Sequence, residues 1–212
     1  MLVYAGDGVL VPMSRIEQIY FHAAQLFVEK GFAVASMSDI AEAVGITKAA
    51  TYHFVPNKEE LLFNLMNFGL DILEDDVVKP ASTIEDPAGR LTLIVKNHLL
   101  NVGRMKTETG NPFTIFLDEP GGLSPKYREA IDARKRTYFE FVRESIIALR
   151  DAGHTHDVDP SVATFSLLGM IIWMSRWAGR RNRMSLDQIA DEMTGIALRG
   201  ILKPAVVPTP YH

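Results

Sequence analysis

An all-α chain in two parts is what the sequence predicts, and three observations carry that prediction. Apolar residues recur three and four positions apart along most of the length. Ser, Thr, Asn or Asp stands ahead of these runs and Gly or Pro behind them, where a helix needs a capping acceptor and a stop. No stretch alternates with the period of a half-buried strand, and no internal repeat appears. About nine helices are expected on these signals. A helix-turn-helix unit would occupy 13–57 and a larger helical domain 58–203. Residues 1–12 read as a flexible leader and 204–212 as a flexible tail.

The composition narrows the functional class. Of 212 residues, 47% are hydrophobic and 23% charged, the balance of an ordinary globular protein. There is no cysteine, which excludes a disulfide framework and a thiolate metal site. The first twelve residues lack the basic start and long apolar core of a signal peptide. No run reaches the length of a membrane span, so no membrane partner and a cytoplasmic location are expected. Formal net charge is −4. From Met1 to Lys58 the basic residues Arg15, Lys30, Lys48 and Lys58 are outnumbered by Asp7, Glu17, Glu29, Asp39 and Glu42. Nucleic-acid affinity would therefore rest on a few placed contacts, giving a modest dependence on salt.

Ser14 caps a first helix to Lys30, whose apolar face is Ile16, Ile19, Tyr20, Ala23, Leu26 and Phe27; Gly31 ends it. Ser36 or Ser38 caps a second helix with Ile40, Ala41 and Val44 inward. Gly45 follows, where the turn needs positive φ. Thr47 caps a third helix from Lys48 to about Val55. Lys48, Ala49, Tyr52 and His53 share its outward side, while Thr51 and Val55 face inward. Asn57 caps the fourth helix, and Glu59 and Glu60 suit its positive end. Two short helices around a glycine turn form the unit whose second helix enters the DNA major groove. Lys48, Ala49, Ala50, Tyr52 and His53 are the candidates for base edges; Ser36, Thr47, Tyr52 and Lys58 are those for phosphates.

The stretch from Arg15 to Leu61 resembles the DNA-binding domain of TetR/AcrR-family transcriptional regulators. The resemblance is carried by Ile19, Ala23, Leu26-Phe27, Glu29-Lys30-Gly31-Phe32, Ser36-Met37, Asp39-Ile40-Ala41, Gly45-Ile46-Thr47, Tyr52, Val55, Lys58-Glu59 and Leu61. Thr51 departs from it where the family usually has Leu, as does Phe54 where a polar aromatic is frequent. The resemblance implies a double-stranded operator as partner, a small-molecule effector and no catalytic activity.

Beyond this unit the fourth helix runs from Lys58 to about Val78, until Lys79-Pro80 breaks it. As one rigid rod it could swing the reading head. A fifth helix opens at Asp86-Pro87, and Gly110-Asn111-Pro112 breaks it ahead of a short segment with Phe113 and Phe116. Ser124-Pro125 opens a long helix to about Arg150. Asp159-Pro160 starts another to about Ala178, and Ser185 or Leu186 starts the last, to Leu202. In the last two, Phe165, Leu168, Gly169, Ile172 and Trp173 recur at helical spacing, as do Ile189, Met193, Ile196, Ala197 and Ile201. So much apolar surface must be buried in the chain's own core or against a second copy. The resemblance implies the latter, a homodimer through the last two helices.

Met105, Phe113, Phe116, Met170, Trp173, Met174 and Trp177 fall near helix breaks. Singly each suits a core; together they suit an adaptable apolar pocket. Arg176, Arg180, Arg181 and Arg183 surround the last turn, with Arg134, Lys135, Arg136 and Arg143 on the long helix. They read either as a solvated helix end or as a seat for a phosphate-bearing effector. Leu123-Ser124-Pro125, Asp157-Val158-Asp159-Pro160, Trp173 with Trp177, and Met184 to Ala190 resemble the subset of TetR-type regulators that respond to acyl-CoA. An acyl-CoA is therefore the first expected effector, in a pocket including Arg176, with an amphipathic drug sensed by an efflux regulator as the alternative. His154 and His156, with Asp151, Asp157 and Asp159 nearby, read as a structural loop or, in a metal-dependent enzyme, as ligands. No catalytic motif, metal site or cofactor is assigned.

Overall fold

The computed structural model describes residues 2–4, 10–104, 121–178 and 184–204. Among them are nine α-helices: α1 (Arg15–Lys30), α2 (Met37–Val44), α3 (Lys48–Phe54), α4 (Lys58–Leu73), α5 (Lys79–Ser82), α6 (Pro87–Arg104), α7 (Pro125–Asp151), α8 (Pro160–Trp177) and α9 (Leu186–Ile201). One short antiparallel pair, β1 (Leu2–Tyr4) with β2 (Leu10–Pro12), precedes them, Val3 facing Val11 in register. This pair stands in place of the unstructured leader that the composition predicts. Its physical basis is local: both runs are rich in Leu, Val and Tyr. The segment holding Phe113 and Phe116, and the tail from 205, lie outside the described residues.

The helix starts follow the capping chemistry of the sequence. Ser14 and Glu17 make a reciprocal capping box on α1, as do Ser36 and Asp39 on α2 and Ser185 and Gln188 on α9. Asn57 Oδ1 accepts from the Glu60 amide at 2.8 Å, and Asp159 Oδ1 from the Ser161 and Val162 amides, each at 2.9 Å.

The chain divides into two compact units, Met1–Ile72 with Met105–Arg134 and Leu73–Arg104 with Lys135–His212. The first therefore extends past the sequence boundary at 57. The reason is packing: Leu61, Leu62, Leu65 and Met66 of α4 are fully buried with Ile19, Phe27, Ile40 and Val55 in a single core. That core also takes Leu123 and Ile131. The second unit is built around Leu91, Ile94, Val95 and Leu99 of α6, packed with Val142, Ile146, Leu167, Ile171, Met174, Ala190 and Ala197.

The fourth helix does not stop at Pro80. After Leu73 the backbone passes through one π-helical turn, Glu74–Val78, and continues as α5. Proline lacks the amide that would satisfy the carbonyl four residues back, that of Asp76. Asn97 Nδ2 donates to that carbonyl at 2.9 Å instead, and Asn101 Nδ2 donates to the Asp76 carboxylate at 2.9 Å. The expected break is thus bridged by two side chains of α6. No helix among the described residues is long and apolar enough to cross a membrane.

Candidate nucleic-acid interface

The α2–α3 unit is fixed by its turn. Gly45 adopts φ 73°, ψ 36°, the left-handed conformation that only glycine takes at little cost. There the Ile46 amide reaches back to the Ala41 carbonyl at 2.9 Å and the Gly45 amide to that of Glu42 at 3.0 Å. Thr47 then caps α3, accepting from the Ala50 amide at 3.1 Å. Its inward side is short: Thr51 is fully buried, and Val55 directly follows the helix in the core. Thr51, standing where the resembled family has Leu, places its hydroxyl 3.3 Å from the Thr47 carbonyl, so the buried oxygen has a partner.

Everything else on α3 faces out. Lys48, Ala49, Tyr52, His53 and Phe54 are exposed and Ala50 is half-buried. Lys48 makes no hydrogen bond or ion pair with the other described residues. One pair of charges beside the unit is engaged. Lys30 Nζ lies 3.1 Å from Asp39. The Ser36 hydroxyl and amide, then Lys30, hold the Asp39 carboxyl down at about 2. The same Ser36 hydroxyl donates to Asp39 at 2.6 Å while capping α2.

Lys58, among the phosphate candidates, is engaged within the fold. Its ammonium donates to the carbonyls of Phe32 at 2.7 Å, Ala35 at 2.9 Å and Ala33 at 3.4 Å, and sits 4.5 Å above the Phe32 ring. Three N–H groups meet three acceptors, so this side chain locks the α1–α2 turn from the start of α4. The sequence gives no signal for this, because the partners are backbone carbonyls more than twenty residues away.

The described candidate effector residues all stand on α8 and divide between its two sides. Met174 is buried and Met170 half-buried on the inner side of α8. Trp173 is 65% exposed and Trp177 38%, on the outer side with exposed Arg176. Helical spacing explains the split: Trp173 shares its face with Val162, Phe165 and Gly169, opposite the inward line of Thr164, Leu167, Ile171 and Met174. Met105, Phe113, Phe116, Arg180, Arg181 and Arg183 lie outside the described residues. Arg134 is held by Asp71 at 2.7 Å and Asn67 at 2.8 Å, and Arg143 by Glu140 at 2.8 Å and Ser161 at 3.1 Å.

Around His154 and His156 the backbone is committed to structure. The His154 amide donates to the Leu149 carbonyl, that of His156 to Ile201, and Thr155 bridges to Leu202. Among the described residues no three His, Asp or Glu side chains form a metal-ligating group. A polar pair that sequence spacing misses lies in the second core. The Tyr138 hydroxyl is 2.9 Å from His98 Nδ1 with both rings buried, and Thr194 Oγ1 is buried without a partner. Burial holds His98 down at about 4 and pushes Tyr138 up. The only sequence signal is a lone His inside an apolar helical run.

Comparison with known proteins matches both halves of the chain. The family described as bacterial regulatory proteins, tetR family, matches residues 19–65, and the tetracyclin repressor-like C-terminal domain matches 85–201. Apo AibR is 35% identical with a TM-score of 0.76, over 87% of this chain and 98% of that one. AibR in complex with isovaleryl coenzyme A and operator DNA is 37% identical with a TM-score of 0.75, over 86% and 97%. The HTH-type transcriptional repressor KstR2 of Mycolicibacterium smegmatis is 22% identical over 204 residues, 93% of this chain and 95% of its own. With an exposed recognition helix on a glycine-turned pair and both domains matched, the chain belongs to the TetR family of DNA-binding transcriptional regulators.

Proposed function

We propose that the protein is a homodimeric repressor that leaves a palindromic operator when a small acyl-CoA binds its C-terminal domain. The observation that carries the DNA part is the outward face of α3, which pairs Lys48, without a partner among the described residues, with the small Ala49 and the donors Tyr52 and His53. Lys48, Ala49, Ala50 and His53 meet base edges; Thr47, Tyr52 and the α2 start at Ser36 approach phosphates. The effector class is supported by the AibR structure that holds isovaleryl coenzyme A and operator DNA. The dimer is supported by Val162, Phe165 and Trp173, at 64%, 66% and 65% exposure on one side of α8, and by Ile196 at 57% on α9. That much exposed apolar surface on the last two helices suits a second copy. The acyl-CoA favours a conformer with wrongly spaced reading heads, and its differential affinity sets the extent of release.

The test is operator binding by fluorescence anisotropy, on duplexes enriched from a random pool. Lys48→Ala with Tyr52→Ala is expected to abolish specific binding while sedimentation still reports a dimer. Isovaleryl coenzyme A, as the first probe, is expected to weaken wild-type binding at least tenfold. Specific binding retained by the double variant would overturn the assignment of the interface.

A further inference from the structure

The side chains exposed on α3 restrict which base chemistry this protein can read. Bidentate recognition of adenine uses Asn or Gln, and acceptance from the cytosine amino group uses Asp or Glu. None of these stands in the helix, whose residues are Lys48, Ala49, Ala50, Thr51, Tyr52, His53 and Phe54. There is no Arg either, so the fork that grips guanine most often is missing. What remains at the exposed positions where a recognition helix first meets base edges is one ammonium and one methyl, Lys48 and Ala49. Lys48 is free of any partner among the described residues, whereas Lys30 is tied to Asp39 and Lys58 to three carbonyls.

Resting on the DNA-binding reading above, we propose that Ala49 and Lys48 are the specificity-determining pair. Ala49 Cβ packs on the C5-methyl group of a thymine, and Lys48 Nζ donates to O6 and N7 of a nearby guanine. A·T pairs in the half-site are thereby read from the thymine side by shape and apolar contact, not from adenine by hydrogen bonds. The small side chain matters twice, since a longer one would hold the helix off the groove floor. Tyr52, farther along and carrying a phenol, positions the helix on the phosphates and adds no sequence information.

The experiment uses the full-length protein and an operator enriched from random duplexes, at one fixed salt concentration. Each thymine of the half-site is replaced in turn by uracil, which removes only the methyl, and each guanine by 7-deazaguanine, which removes only N7. One uracil substitution is expected to weaken wild-type binding about fourfold, the value of one methyl. Ala49→Gly should bind thymine and uracil duplexes alike. One 7-deazaguanine is expected to weaken wild-type binding about tenfold and to leave Lys48→Ala unaffected. Uniform indifference to uracil, or loss on 7-deazaadenine substitution instead, overturns the proposal. The base substitutions leave the protein untouched, so the result does not hinge on a variant folding. If no duplex is enriched at all, the DNA-binding assignment fails; if enrichment succeeds and the methyls are neutral, only the proposed base chemistry fails.

Discussion

Lys58 illustrates how far a residue's chemistry depends on what surrounds it. In sequence it is a cation at a helix start beside a DNA-reading element, the usual signature of a phosphate contact. In the fold it holds the carbonyls of Phe32, Ala33 and Ala35 and stacks on the Phe32 ring. Replacing it by Met would strip three acceptors of a charged donor, a cost of about 1–3 kcal/mol. Lys58→Met is therefore expected to lower the urea midpoint while the slope of operator affinity against salt stays unchanged. A slope smaller by about one would mean a lost phosphate contact. Thr51 and Gly45 were legible because their roles are local, a helix face and a turn. Lys58 was not, because its partners lie across the chain and carry no side-chain signature.

At the scale of elements, caps were the readable part and interior polar contacts the hidden one. Ser14, Ser36, Thr47, Asn57, Asp159 and Ser185 each cap the helix that the spacing assigns to them, since capping is decided within four residues. The π turn at Glu74–Val78 was not readable, because Pro80 signals a break and the Asn97 amide that reaches the Asp76 carbonyl stands on another helix. The same holds for His98 on α6 and Tyr138 on α7, whose hydrogen bond joins two elements inside the core. Its consequence is a dependence on pH. The folded ring takes a proton only near pH 4, the unfolded one near 6.5, so protons favour the unfolded chain between those values. Stability from this group is complete above about pH 6.5, falls as pH drops towards 4 and changes no further below. Between pH 7 and 5 the wild type is expected to lose about 2 kcal/mol more than His98→Gln, which keeps an acceptor for Tyr138 and does not titrate. Urea unfolding at both pH values measures the difference.

For the whole molecule, the all-helical class and the two-part order were legible because the apolar period is strong from Ser14 to Ile201. Where the N-terminal core ends was not, because α4 packs into it as far as Leu70 and Leu123 and Ile131 return to it from much later in the chain. The outer face of α8 was legible only in part. Trp173 and Trp177 sit where spacing allows either a pocket or an interface, and only burial separates the two. Trp173→Glu on that face is expected to weaken dimerisation at least thirtyfold, the effect of losing a well-packed aromatic anchor. Sedimentation and operator binding should fall together while circular dichroism stays helical; a dimer of unchanged strength would place the interface elsewhere. A different consequence follows from how little of α3 is built into the core. Thr51 and the adjoining Val55 hold it there, while Lys48, Ala49 and His53 lie exposed outside that core. Mutations at Lys48, Ala49 or His53 are therefore expected to alter operator preference at little cost in folding. Duplicated copies of such a gene are free to drift towards new regulons, their scaffold inherited intact.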